Sequence, residues 1–215
     1  KDGSTLQVVQ RSLVTEIVIK SVKSSIRTIG NGFLETYSSL TTLNISGLKN
    51  ITKIGENFLY YSKKIDNVDF SPLKNVTQIG EEFLSTCESL SSIDLSFLSN
   101  LKEIPDFFLY DCTALTTINL APLSGVTKIG HGFLRNCIGL TFVDLTPMFN
   151  VEEVGAGFLS ACSALHNFNI STWTKLRKIG DDFLEFDRNL LMVELGNLTS
   201  LEEIGESFIS ECTAL

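Results

Sequence analysis

The stretch Ile79–Glu103, IGEEFLSTCESLSSIDLSFLSNLKE, decides the fold, because its pattern recurs every 25 residues. Phe83 belongs to the series Phe33, Phe58, Phe83, Phe108, Phe133, Phe158, Phe183 and Phe208. Four residues before each of these Phe stands Ile or Val, followed by Gly in every unit except Ile104-Pro105. Seven residues after each comes Leu or Ile, from Leu40 and Ile65 to Leu215. Cys87, Cys112, Cys137, Cys162 and Cys212 keep the same phase. Seven complete units run from Ile29 to Glu203, and part of an eighth follows. A fixed period of this length is the mark of an array of stacked supersecondary units.

Within one unit, Leu90-x-x-Ile93-x-Leu95 alternates as a strand with one buried face does. A turn marked by Pro72, Pro122 and Pro147, and by Asn50, Asn75, Asn100 and Asn150, comes next. Pairs such as Val76-x-x-Ile79 then predict a second short extended piece. Gly opens a tight corner. Acids often follow it (Glu56, Glu81, Asp106, Asp181, Glu206), which predicts a short helical turn around Phe83-Leu84 with carboxylates at its start.

One such coil cannot bury its own apolar side, but a stack can, each coil covering the next. The expected fold is a repeat solenoid with a parallel β-sheet along its concave face and short strands or helical turns on the convex side. With about 4.8 Å between coils, eight coils span roughly 40 Å. The chain of 215 residues carries 17 Lys and Arg against 25 Asp and Glu, a net charge of −8. That balance argues against nucleic acid or an anionic membrane as partner. No apolar run reaches the roughly 18 residues of a membrane-spanning helix. Two histidines leave little material for acid–base chemistry or zinc. No phosphate-binding, dinucleotide-binding or H-E-x-x-H motif occurs. The expectation is a protein that is not an enzyme and uses no cofactor.

The order I-G-x-x-F-L-x-x-C-x-x-L-x-x-I/V-x-L in IGEEFLSTCESLSSIDLS and IGHGFLRNCIGLTFVDLT resembles the BspA-like, or treponemal-type, leucine-rich repeats. The resemblance covers Ile29 to Leu215. Two departures stand out: a 25-residue unit, longer than expected for that family, and Phe-Leu where it usually has Ala-Phe. What the resemblance implies is a curved solenoid that binds a protein, or less readily a glycan, as an adhesion or receptor-like module at the cell surface or secreted. It implies no catalytic residues. The alternative is a cytoplasmic recognition arm or scaffold of a larger protein, which free cysteines suit slightly better.

Residues 1–28 read as a divergent first repeat or cap. Val18 and Ile26 are in phase there, but Ser4 and Lys20 stand at core positions. This segment carries +3 (Lys1, Arg11, Lys20, Lys23 and Arg27 against Asp2 and Glu16), leaving −11 for residues 29–215. The array halts mid-unit at Leu215, which reads as a fragment of a longer protein.

The candidate binding residues follow from the strand positions. One outward residue per coil forms a polar column: Asn44, Asp69, Asp94, Asn119, Asp144, Asn169 and Glu194. It is either a ligand-contact stripe or a solvated face that blocks sheet stacking. The column Thr42, Asn67, Ser92, Thr117 changes character to Phe142, Asn167 and Met192, beside His166 and Leu191. Phe142, His166, Leu191 and Met192 are the expected hot spot, since apolar residues on a polar surface mark interfaces. The cysteines read as buried free thiols, because parallel side chains in a ladder do not face one another for a disulfide. A straight row likewise offers zinc no tetrahedron. His131 reads as a solvated corner residue. Sequons stand at Asn44, Asn50, Asn75, Asn169 and Asn197; Asn50 and Asn75 lie in turns and could carry glycan, whereas Asn44 and Asn169 lie on strands and could not.

Overall fold

A computed structural model describes residues 11–215, so Ser4 lies outside the described residues. The chain is a parallel-strand β-solenoid of about eight turns. Every coil presents three walls, and each wall solves backbone hydrogen bonding in its own way.

The first wall is the Leu-x-x-Ile-x-Leu stretch. Glu16–Val18 pairs with Thr42–Asn44, and Asn167–Asn169 pairs with Met192–Glu194, all parallel. The four coils between them are extended there but unpaired. Each of those four continues into a 3-10 turn: Ser71–Leu73, Ser96–Leu98, Ala121–Leu123 and Thr146–Met148. Pro72, Pro122 and Pro147 sit in the first turn of theirs, where no N–H is missed. The expected single sheet is therefore interrupted along this wall, and the paired strands stand towards its two ends.

The longest sheet lies on the second wall. Glu103–Ile104, Lys128–Ile129, Glu153–Val154, Lys178–Ile179 and Glu203–Ile204 pair in register, all parallel. Thr28–Ile29 and Lys53–Ile54 form a separate pair. The corner glycines make this close stacking feasible. A Cβ on Gly155 would stand 2.6 Å from the backbone of Gly130 and His131. No side chain fits between coils there.

The third wall corrects the expected helical turn. Segments such as Glu82–Thr86 form no helix. Every second residue takes a positive φ instead, as at Glu82 (57°), Leu84 (56°) and Thr86 (58°). The N–H groups then point alternately to neighbouring coils: Glu82 donates to Asp106 O, Leu84 to Phe58 O, Thr86 to Tyr110 O. Side chains other than Gly disfavour this conformation by about 1–2 kcal/mol per residue. Inter-coil bonds and core burial outweigh that cost. Gly32, Gly132 and Gly157 occupy the Glu82 slot in other coils. We expect Glu82→Gly to stabilise the chain by about 0.5–1 kcal/mol. Glu81→Gly, one residue earlier and without positive φ, should instead destabilise it. Urea denaturation of the two variants checks the sign of each.

The core is a spine of phenylalanines. Phe33, Phe58, Phe83, Phe108, Phe133, Phe158, Phe183 and Phe208 stack in sequence, with centroids 5.3–6.0 Å apart and rings within 15° of parallel. Trp173 meets Phe158 edge-on and donates its indole N–H to Leu145 O.

At the start of the described chain the phase shifts by one. Ile17 pairs with Leu43, a separation of 26, whereas Ile29 pairs with Ile54 at 25. The extra residue lies between these strands. Ile17, not Val18, takes the inward position, and Val18 is 42% exposed. Lys20 and Ile26 are exposed as well, so neither occupies a core slot.

Candidate binding face

The polar column of the first wall has a local explanation. The side-chain oxygens of Asn44, Asp69, Asp94, Asn119, Asp144 and Asn169 each accept the backbone N–H two residues on, at 2.8–3.0 Å. These are Asx turns that lead the strand into the corner. The Ser71 hydroxyl and N–H together hold the Asp69 carboxyl below its ordinary pKa. Asn and Asp suit such a turn best, which is a sufficient reason for their recurrence. Glu194 is too long for it, and accepts from Asn169 Nδ2 across the coils at 2.7 Å.

The apolar departures stand clear of the core. Phe142 is 60% exposed, Leu191 61% and Met192 50%, and His166 is exposed. His166 and Leu191 are joined by a backbone bond of 2.8 Å, and Met192 is in register with Asn167. Phe142 lies one coil before Asn167 in the same column, about 10 Å from Met192 along the stack. The four predicted residues thus share one stretch of the first wall. Phe149, half exposed past the corner of the Phe142 coil, is a further apolar departure that the expected hot spot leaves out. Its signal is present in the sequence, since the column Lys49, Lys74, Ser99, Ser124 turns aromatic at 149 and returns to Thr174.

The cysteine slot is a donor slot. Each Sγ donates to the carbonyl 28 residues earlier, as Cys112 does to Leu84 (3.2 Å) and Cys162 to Leu134 (3.1 Å). Ser62 Oγ does the same to Leu34. All five thiols are unpaired, and burial pushes those of Cys87, Cys112, Cys137 and Cys162 far up, so they stay protonated. Asp187 occupies this slot in the seventh unit, fully buried, with neither oxygen hydrogen-bonded.

His131 is more than a solvated corner residue. Its Nδ1 accepts the N–H of Ala156 at 2.9 Å, while its own N–H goes to Asp106 Oδ1 at 2.8 Å. Asn31 and Asp181 make the same inter-coil contact. Of the acids expected at a helix start, Asp106 and Asp181 bond to the next coil instead. Asn50 Nδ2 donates to Ser24 O and Asn75 Nδ2 to Lys49 O, each through one of its two N–H groups. Asn197 is exposed and has no such bond.

Among the described residues no cluster of three His, Cys, Asp or Glu is placed to hold a metal. No helix there is long and apolar enough to cross a membrane. The second wall carries charge in alternation, with Lys128–Glu153 at 3.6 Å, Lys178–Glu203 at 2.8 Å and Arg177–Glu202 at 3.1 Å. These exposed pairs contribute little to stability.

The comparisons match this geometry. The family described as BspA type leucine rich repeat region matches residues 10–141 and 91–215, in six copies. A leucine-rich repeat protein from Bacteroides ovatus superposes with a TM-score of 0.54 at 21% identity, over 95% of this chain and 66% of its own. The chain therefore spans just under two thirds of that relative. The T. pallidum leucine rich repeat protein superposes at 0.54 with 16% identity, over 93% of this chain and 77% of its own. No curated protein matches the chain.

Proposed function

We propose, from the premise that the chain belongs to the BspA type leucine rich repeat family, that it is a surface-exposed or secreted adhesion or receptor-like module. Repeats of this class serve as protein-interaction modules and are typically non-catalytic. The partner in this reading is a protein, with glycan as the lesser choice, and no nucleic acid. The observation that carries it is the exposed group Phe142, Leu191 and Met192, with His166 beside it, on a wall whose outward positions are mostly polar. Aromatic and Met side chains are what interface cores enrich. The Asx residues Asp69, Asp94, Asn119, Asp144 and Asn169 then serve as a rigid polar rim, with Glu194 at its end. Residues 1–28 act in this proposal as the divergent first repeat of the array.

Two measurements test the reading. Antiserum against the chain should stain intact cells of the source organism; staining only after permeabilisation would favour the cytoplasmic scaffold. Phe142→Ser with Met192→Ser should weaken binding to partners recovered on a protein array at least tenfold, with the melting temperature within a few degrees of the parent. Unchanged binding would remove this face from the proposal.

A further inference from the structure

The charges of the chain are divided unevenly between its walls. The second wall carries acids and bases together and pairs them, as at Lys128–Glu153, Arg177–Glu202 and Lys178–Glu203. The first wall is different. Its outward stretches are TTLN (41–44), DNVD (66–69), SSID (91–94), TTIN (116–119), TFVD (141–144), HNFN (166–169) and LMVE (191–194). They contain five carboxylates, Asp66, Asp69, Asp94, Asp144 and Glu194, and no Lys or Arg. All five are exposed, and none is in an ion pair among the described residues. Bases stand at the margins, among them Lys64, Lys74 and Arg188 in the flanking turns. A row of one sign without counter-charges presents a one-signed field to a partner.

The carboxylates run beside the apolar group. Residues two apart on a strand point to the same side, about 6.6 Å from each other. Asp144 therefore stands beside Phe142, and Glu194 beside Met192, on the outward side. Along the stack Asp94, Asp144 and Glu194 recur at every second coil, about 10 Å apart. Asn119 and Asn169 alternate with them, and Asp69 lies one coil before Asp94. The row is also held in place. Oδ1 of Asp69, Asp94 and Asp144 accepts a backbone N–H at 2.8–3.0 Å, and Glu194 accepts from Asn169 Nδ2. Side chains already ordered in the free protein lose little entropy on binding. Fixed charge beside an apolar anchor divides the work: the apolar contacts supply affinity, and the charges select the partner.

We propose that the first wall binds a cationic amphipathic protein segment. Its Lys or Arg side chains meet the row Asp94, Asp144 and Glu194, and a large apolar side chain of the same segment meets Phe142, Leu191 and Met192. The inference rests on the reading of this wall as the interface, and adds to it the chemistry of the partner.

A random dodecapeptide library is panned on the chain in about 50 mM NaCl. Enriched peptides should carry net positive charge and at least one aromatic or large aliphatic residue. Their Kd should rise at least fivefold between about 50 and 500 mM NaCl, because salt screens exposed charges. One variant combines Asp94→Asn, Asp144→Asn and Glu194→Gln. It should fold as the parent does, since Asn44, Asn119 and Asn169 already make the same turn. It should bind the peptides at least tenfold more weakly and with less salt dependence. A second variant, Glu103→Gln with Glu153→Gln and Glu203→Gln, removes the same charge from the second wall and should bind within twofold of the parent. The proposed chemistry is overturned if the enriched pool is neutral or acidic, or if the first-wall charge variant binds as tightly as the parent. Equal losses in the two charge variants would overturn it as well, because net charge alone would then be acting. Phe142→Ser with Met192→Ser separates the two readings. Unchanged binding there removes the wall itself from the interface and takes the inference with it; lost binding there, with the first-wall charge variant unaffected, overturns only the basic partner.

Discussion

Asp187→Cys should raise the stability of the chain at neutral and alkaline pH, on the order of 5–6 kcal/mol at the alkaline end. The slot that holds Asp187 receives an S–H or O–H donor in other coils. An ionised carboxylate has none to give. Burial raises the Asp187 carboxyl to about 8, and the nearby Cys162 N–H offsets that only in part. In its protonated form the side chain is the one carboxyl state that suits a donor slot.

The sign of the pH dependence follows. The folded state holds the Asp187 proton up to about pH 8, whereas the unfolded chain releases it near 3.8. Between those values the folded state binds more protons, so stability falls as pH rises. The contribution is fully present below about pH 4 and is lost as pH climbs through 8. A tenfold change in the acid constant on folding is worth about 1.36 kcal/mol. Urea denaturation from pH 4 to pH 9 should therefore show a decline in the parent that D187C lacks. Parallel profiles for the two proteins would mean that water or a neighbouring group already compensates the carboxylate.

The repeat makes the solenoid legible from residues alone. A 25-residue phase carried by Phe, Leu and Cys admits few folds, since each ladder must lie along one line of a stack. The residues proposed for binding are singled out in the same way: a strict repeat supplies its own consensus, so Phe142 and Met192 stand out as departures. The local conformation between Gly80 and Cys87 is not legible. Alternating positive φ at Glu82, Leu84 and Thr86 has no signature in those residue types, because inter-coil bonds impose it against their preference. The Asx turns are hidden differently. Asn and Asp at the outward strand position fit a ligand stripe and a turn equally well, and only the 2.8–3.0 Å contacts to the residue two on show that the turn forms. The one-residue shift at Ile17 leaves no trace in the pattern, because Val18 is as apolar as Ile17 and either register fits.

Phe133→Ala should cost about 3–5 kcal/mol, in the range of large-to-small changes at fully buried positions. Phe133 has no exposed surface and is held between Phe108 and Phe158, at 6.0 and 5.3 Å. The space it leaves cannot collapse along the stack. The coil spacing is set independently by the Gly130 and Gly155 corners, whose backbones are already in contact. It is also set by the bonds from Leu134 to Phe108 O and from Leu159 to Phe133 O, at 3.0–3.1 Å. A cavity at a fixed spacing keeps its full penalty. Phe33→Ala, in a half-buried coil with one stacked neighbour, should cost appreciably less. Because each coil touches only its neighbours, the loss at 133 should also be local at first. Amide exchange should quicken in the coils of Phe108, Phe133 and Phe158 before it does at Leu40 or Leu190. A uniform rise in exchange along the whole array would show instead that the spine unfolds as one cooperative unit.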